Sequence, residues 1–165
     1  MKVGVIGYGG LGQIGTRAAV LAGAEVHVAE TKKSVWDLAR AAGVAGVVED
    51  AAEWAGQGFD LVVDYAGFDT TQRAIDAIER GGGTVVQVGL GLPTFTVTSP
   101  TILGKTLVGS LGGTVQDIEE VFDLLLAREI EPAYTEIAFD EIGAGLERLA
   151  RGGEVTGRLV ARFGD

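Results

Sequence analysis

The chain has 165 residues, 27 of them glycine where average usage gives roughly 12, and an apolar fraction of 47%. A chain of this length buries roughly 70% of its unfolded surface in a single core, which excludes disorder. Acidic residues outnumber basic ones by 23 to 13 for a net charge of −10, leaving no basic stripe for a nucleic-acid backbone.

Residues 2–7 (KVGVIG) read as a strand running into glycines, and residues 10–22 follow as a helix, with Leu11, Ile14, Ala18, Leu21 and Ala22 at helical spacing. The alternation continues with strands at 25–30, 46–49, 60–66 and 83–89 and helices at 34–42 and 70–80. Next come a segment 92–99 carrying Pro93, a short helix to Leu103 opened by Ser99 as cap with Pro100 at its first position, and a sixth strand at 105–111. Thr114 with Asp117 three residues on predicts a capped helix to about Arg128. Strands apolar on both faces and separated by helices predict a doubly wound α/β fold, a six-stranded parallel sheet covered on both sides. The rhythm changes after Ile130. Residues 131–165 read as a strand–helix–strand tail (134–139, 140–151, 157–163), distinct from a nucleotide-binding unit over 1–130.

Gly7, Gly9 and Gly12 form Gly-X-Gly-X-X-Gly between the first strand and first helix, where a tight turn exposes backbone N–H groups to a pyrophosphate at the helix N-terminus. Twenty-three residues after Gly7, at the end of the second strand, Glu30 is placed to accept from the adenosine ribose hydroxyls. A carboxylate there repels a 2′-phosphate and favours NAD over NADP, although Lys32 and Lys33 follow at once and offer a cation to that phosphate. The ends of the fourth, fifth and sixth strands (Ala66-Gly67, Val88-Gly89-Leu90, Gly109-Ser110-Leu111) line the same crevice, and turn geometry alone accounts equally well for each of their glycines.

Catalytic groups are scarce. Asp64 and Tyr65 end a buried strand, where Asp64 reads as a satisfied structural acid; His27 reads as a packed or edge residue, and Trp36 and Trp54 as packing anchors. With no cysteine and one histidine, the chain cannot form a disulfide or a zinc site of Cys or His ligands, so no metal site is expected within it. No run of eighteen apolar residues and no signal-peptide pattern is present, and the expected location is cytoplasmic.

The stretches VGVIGYGGLGQIGTRAAVLAGAEVHVAE, FDLVVDYAG, GGGTVVQVGLG and GEVTGRLV together resemble the cofactor-binding domain of the zinc-type alcohol dehydrogenases, in the medium-chain dehydrogenase/reductase superfamily. That resemblance implies that Gly9, Gly10 and Leu11 meet the pyrophosphate and that Glu30 and Thr31 meet the adenosine ribose. It implies Ala66 and Gly67 near the adenosine half, and Val88, Gly89, Leu90, Ser110 and Leu111 facing the nicotinamide and its ribose. Arg158 is similar to a family arginine that reaches the pyrophosphate, while Val35 stands where the family often has a ribose lysine. The implied activity is hydride transfer between an alcohol or carbonyl and nicotinamide, in a whole enzyme whose zinc ligands lie in a preceding domain. Met1 stands directly before the first strand, so the expectation is a cofactor-binding piece inactive alone; a free-standing nucleotide sensor and, less favoured, a zinc-free reductase are the alternatives. The tail strands are expected to pair with each other or with a second copy, and residues 105–111 to join two subunits across a two-fold axis.

Overall fold

In the computed structural model, which describes residues 1–79, 81–92 and 94–163, the alternation becomes β1 (Lys2–Ile6), α1 (Gly10–Leu21), β2 (Glu25–Ala29), α2 (Trp36–Ala41), β3 (Gly46–Val48), β4 (Leu61–Asp64), α3 (Thr70–Ala77), β5 (Thr84–Gln87), α4 (Ser99–Ile102), β6 (Thr106–Gly109) and α5 (Val115–Leu126). The six strands form one sheet in the order β3-β2-β1-β4-β5-β6, and every pairing is parallel. The order reverses between β1 and β4, and there the loops after the two strands diverge to opposite faces and open a crevice at the carboxyl ends.

The central strands β1, β2 and β4 are apolar on both faces because both faces are covered, whereas β6 at the edge is largely exposed. Val3, Val5, Val26 and Val28 point to one side and pack with Tyr8, Val35 and Ala39 beneath α1 and α2. Ile6 and Ala29, one position out of phase, point to the other and pack with Trp54, Phe59, Val62, Ile75 and Val85 beneath α3. Each large side chain so buried contributes about 1.5–3 kcal/mol.

The observed strands are shorter than their apolar runs. β4 stops at Asp64 and β5 at Gln87; the Tyr65 amide still reaches the Ile6 carbonyl and the Val88 amide the Asp64 carbonyl, and the chain then turns away at Ala66-Gly67 and at Gly89. The predicted helix at 34–42 resolves into a 3-10 turn at Lys33–Val35 and then α2, and a second 3-10 turn at Ala51–Trp54 is held by a capping box between Asp50 and Glu53. α3 ends at Ala77, where Ile78 turns extended to bridge Phe59; Arg80, the predicted end, and Pro93 lie outside the described residues. α4 begins one residue earlier than expected, with Thr98 as cap and Pro100 second in the helix, the Thr98 carbonyl accepting from the Thr101 amide at 3.0 Å and the Ile102 amide at 3.3 Å. Thr114 and Asp117 form the predicted reciprocal cap of α5, and their hydrogen bonds hold the Asp117 carboxyl below its usual range.

The tail forms its own unit: β7 (Tyr134–Ala138), a 3-10 turn, α6 (Ile142–Arg151) and β8 (Arg158–Arg162). β7 and β8 pair with each other in parallel, Tyr134 opposite Arg158 and Ala138 opposite Arg162, apart from the main sheet. α6 crosses from one to the other with Gly145 against Ile137 and Leu159. β6 is the edge strand of the main sheet, and α5 buries no residue, leaving Val115, Ile118, Phe122 and Leu126 exposed.

Candidate functional site

The glycine loop is shaped by contacts that admit no side chain. Gly7 turns out of β1 with φ +88°, its amide donating to the Ala29 carbonyl at 2.9 Å. A Cβ on Gly12 would overlap the Gly7 carbonyl oxygen, so α1 can start this close to β1 only with glycine there. Gly9, by contrast, has open space where a Cβ would stand. It caps α1 with no side chain, so the first amides of the helix face the crevice.

Glu30 is fastened beside this loop. One carboxylate oxygen accepts from the Tyr8 amide at 2.6 Å and the other from the Lys32 amide at 2.6 Å, with the Thr31 hydroxyl at 3.4 Å. The Trp36 indole donates to the Glu30 carbonyl at 2.8 Å, so its polar edge serves to hold the end of β2. The two neighbouring lysines turn elsewhere: Lys33 pairs with Glu49 at 2.8 Å, and Lys32 Nζ donates to the Val155 carbonyl at 3.2 Å and the Thr156 hydroxyl at 3.3 Å.

Arg158, the first residue of β8, lies with its guanidinium stem against Gly10. Among the described residues its side chain makes no ion pair or hydrogen bond. A cation and the positive end of a helix dipole therefore converge on one spot, an arrangement that an anion between them relieves.

The other wall is knotted by Asp64. Its fully buried carboxylate accepts from the Ala66 and Gly67 amides, both at 3.0 Å, and from the Thr70 and Thr71 hydroxyls at 2.7 and 2.9 Å. It thus ties the β4 turn to the start of α3 as a satisfied structural acid. Gly67 and Gly89 require each other: with φ +69°, Gly67 packs on the Gly89 carbonyl, and a Cβ on Gly89 would strike the main chain of Tyr65 and Ala66. The Val88 and Gly89 amides both donate to the Asp64 carbonyl at 2.9 Å, and the Ser110 amide to that of Gln87 at 2.9 Å. Leu90 and Leu111 are 89% and 100% exposed, open along this rim. Close main-chain packing accounts for the glycines at 67 and 89, while nothing crowds Gly109.

Tyr65, half-buried, sets its ring and hydroxyl against Gly15 of α1, and burial pushes its phenol above the usual range, so it stands protonated. His27 lies on β2 away from the strand ends, its Nε2 2.9 Å from Glu25 and its ring edge-on to Phe59. Among the described residues no three His, Asp or Glu side chains are grouped to hold a metal ion, and no helix is long and apolar enough to cross a membrane. The predicted residues Gly7 to Gly12, Glu30 to Lys32, Ala66-Gly67, Val88 to Leu90 and Ser110-Leu111 follow the carboxyl ends of β1, β2, β4, β5 and β6, and contacts join Gly7 with Ala66, Gly67 with Gly89, Tyr8 with Glu30, and Arg158 of the tail with Gly10. Sequence reasoning missed the Tyr8 amide on Glu30, the two threonines on Asp64 and the Lys32 contact with the tail. The threonines' spacing from Asp64 was visible; nothing local signalled the other two.

A family model described as zinc-binding dehydrogenase matches residues 10–127. Cinnamyl alcohol dehydrogenase 7 of Oryza sativa subsp. japonica is 30% identical over 99% of this chain and 45% of its own length. The probable formaldehyde dehydrogenase AdhA of Bacillus subtilis (strain 168) is 29% identical over 91% and 45%. Among solved structures, acetophenone reductase from Geotrichum candidum NBRC 4597 in complex with NAD superposes with a TM-score of 0.90 at 32% identity, covering 97% of this chain and 48% of that one. The alcohol dehydrogenase of Aeropyrum pernix gives 0.87 at 26% identity, covering 96% and 48%. The chain spans about half the length of each of these relatives.

Proposed function

From the premise that this chain belongs to the zinc-binding dehydrogenase family, we propose that it is the NAD(H)-holding part of an alcohol dehydrogenase-type oxidoreductase, the residues that bind zinc lying outside it. Residues 1–130 hold the dinucleotide, and residues 131–165 return toward the rest of that enzyme. The observation that carries the reading is the fastened Glu30 carboxylate beside an open glycine loop, with Lys32 and Lys33 both engaged elsewhere. A ribose diol donates to such a carboxylate, and a 2′-phosphate meets its charge with no lysine turned toward it.

The residues present fit a dinucleotide. Gly9 leaves the space that a pyrophosphate needs against the backbone, and Arg158 and the α1 amides supply opposite charge. When bound, the nicotinamide accepts or returns the hydride. The chain's own part is to orient it: Glu30 fixes the adenosine ribose, the loop and Arg158 the phosphates, and the main chain at Val88–Leu90 and Ser110–Leu111 the far half. Alone it should turn nothing over.

Calorimetric titration of the chain should show saturable NADH binding, weaker for NADPH; no binding of either at millimolar concentration overturns the reading. Gly9→Ala should fold with an unchanged melting midpoint yet bind NADH at least about 10-fold more weakly, since a methyl enters the space the pyrophosphate requires. Gly12→Ala should lower the midpoint itself, overpacking of this kind costing about 1–3 kcal/mol.

We further propose that two copies associate through the edge strand β6, whose Val108 is exposed. Sedimentation equilibrium should find a dimer at tens of micromolar, and Val108→Lys should shift it to monomer; a strictly monomeric parent chain at that concentration rules the interface out.

A further inference from the structure

Val155 to Arg158 runs along the rim of the crevice and touches it at two corners. At one, Arg158 lies against Gly10 at the start of α1. At the other, the Val155 carbonyl and the Thr156 hydroxyl receive the ammonium of Lys32, from residues 123 and 124 positions away in sequence. The Lys32 backbone amide meanwhile remains on the Glu30 carboxylate. One residue is thus pinned at both ends, its main chain beside the ribose corner and its charge drawn out to the tail.

We propose that this tail loop determines cofactor choice by withholding Lys32 from the ribose 2′ position. The proposal rests on the dinucleotide reading above and goes beyond it, because it moves part of the discrimination from the end of β2 to residues 155 and 156. Lys32 is the cation nearest in sequence to Glu30, and its flexible four-carbon stem suits it to meet a 2′-phosphate if released. Two of its three N–H donors are engaged by the loop, and the planar, fixed Glu30 carboxylate remains as the group that a ligand meets. An NADPH molecule therefore has to break the Lys32–loop contact before gaining a cation, whereas NADH leaves the contact in place. Discrimination then has two parts, a carboxylate that repels and a lysine that is held back, and only the first is visible at the strand end.

The test titrates NADH and NADPH into the full chain and its Lys32→Met and Thr156→Val variants. With Lys32 held back, Lys32→Met should change the NADPH Kd by less than about 2-fold. Thr156→Val, which removes one of the two acceptors, should tighten NADPH by about 3-fold with NADH unchanged, and the gain should vanish in the double variant. Amide hydrogen exchange provides a readout that needs no ligand: exchange at 155–157 should rise in Lys32→Met over the parent chain. A loss of 10-fold or more in NADPH affinity on Lys32→Met, with NADH binding intact, overturns the proposal while the dinucleotide reading survives. Failure of the parent chain to bind NADH overturns both.

Discussion

Asp64→Ala is expected to lower the folding free energy by about 4 kcal/mol, because it strands the amides of Ala66 and Gly67 in a dry turn at about 1–3 kcal/mol each. For a domain of this size the melting midpoint should fall by roughly 8–16 °C, read by circular dichroism or calorimetry. Asp64→Asn separates the contributions. An amide N–H and a main-chain N–H cannot satisfy each other, but the Thr70 and Thr71 hydroxyls can rotate to accept. The asparagine oxygen therefore serves the two main-chain amides and its nitrogen the two hydroxyls, and the loss should stay near about 1 kcal/mol. Equal losses for Ala and Asn would mean that the negative charge, and not the acceptor geometry, holds the turn.

The second large effect is expected at Glu30. Two main-chain amides already fix the orientation of its carboxylate, so, on the proposed reading, little conformational freedom remains to be lost when two ribose hydroxyls donate to it. Hydrogen bonds to a charged acceptor contribute about 1.5–3 kcal/mol, and Glu30→Ala should weaken NADH binding by roughly 10- to 100-fold. NADPH should lose far less, because the same substitution removes the charge that opposes its phosphate, and the preference between the two should shrink or invert. Paired calorimetric titrations measure both. An unchanged NADH affinity would show that Glu30 is only the clasp between β2 and the Tyr8 amide.

The order of strands and helices was legible because the central strands are apolar on both faces and each helix has a single apolar stripe. The glycine loop was legible because a close approach of main chain to main chain excludes every other residue. Where each strand stops was not. Val88 is as apolar as Val86 and its amide still meets the Asp64 carbonyl in the register of the ladder; the chain leaves the sheet where Gly89 donates to that same carbonyl. Asp64 itself was readable as a buried acid, though its partners at Thr70 and Thr71 required the fold. Arg158 stands beside Gly10 across 148 positions of sequence, and nothing short of a family resemblance connects them. Sequence adjacency shows where the Lys32 backbone lies and not where its ammonium goes, which the contact with Val155 and Thr156 decides.

The contact between Gly67 and Gly89 bears on how such a crevice changes over generations. Where two loops meet peptide against peptide, neither has a side chain that can be exchanged for another, and almost any replacement pushes the strands apart. This wall of the crevice is consequently inert to gradual change. Drift toward a different ligand has to proceed through the surrounding margin, at Glu30, Lys32 and the tail loop, where a replacement alters charge or reach and leaves the sheet as it was.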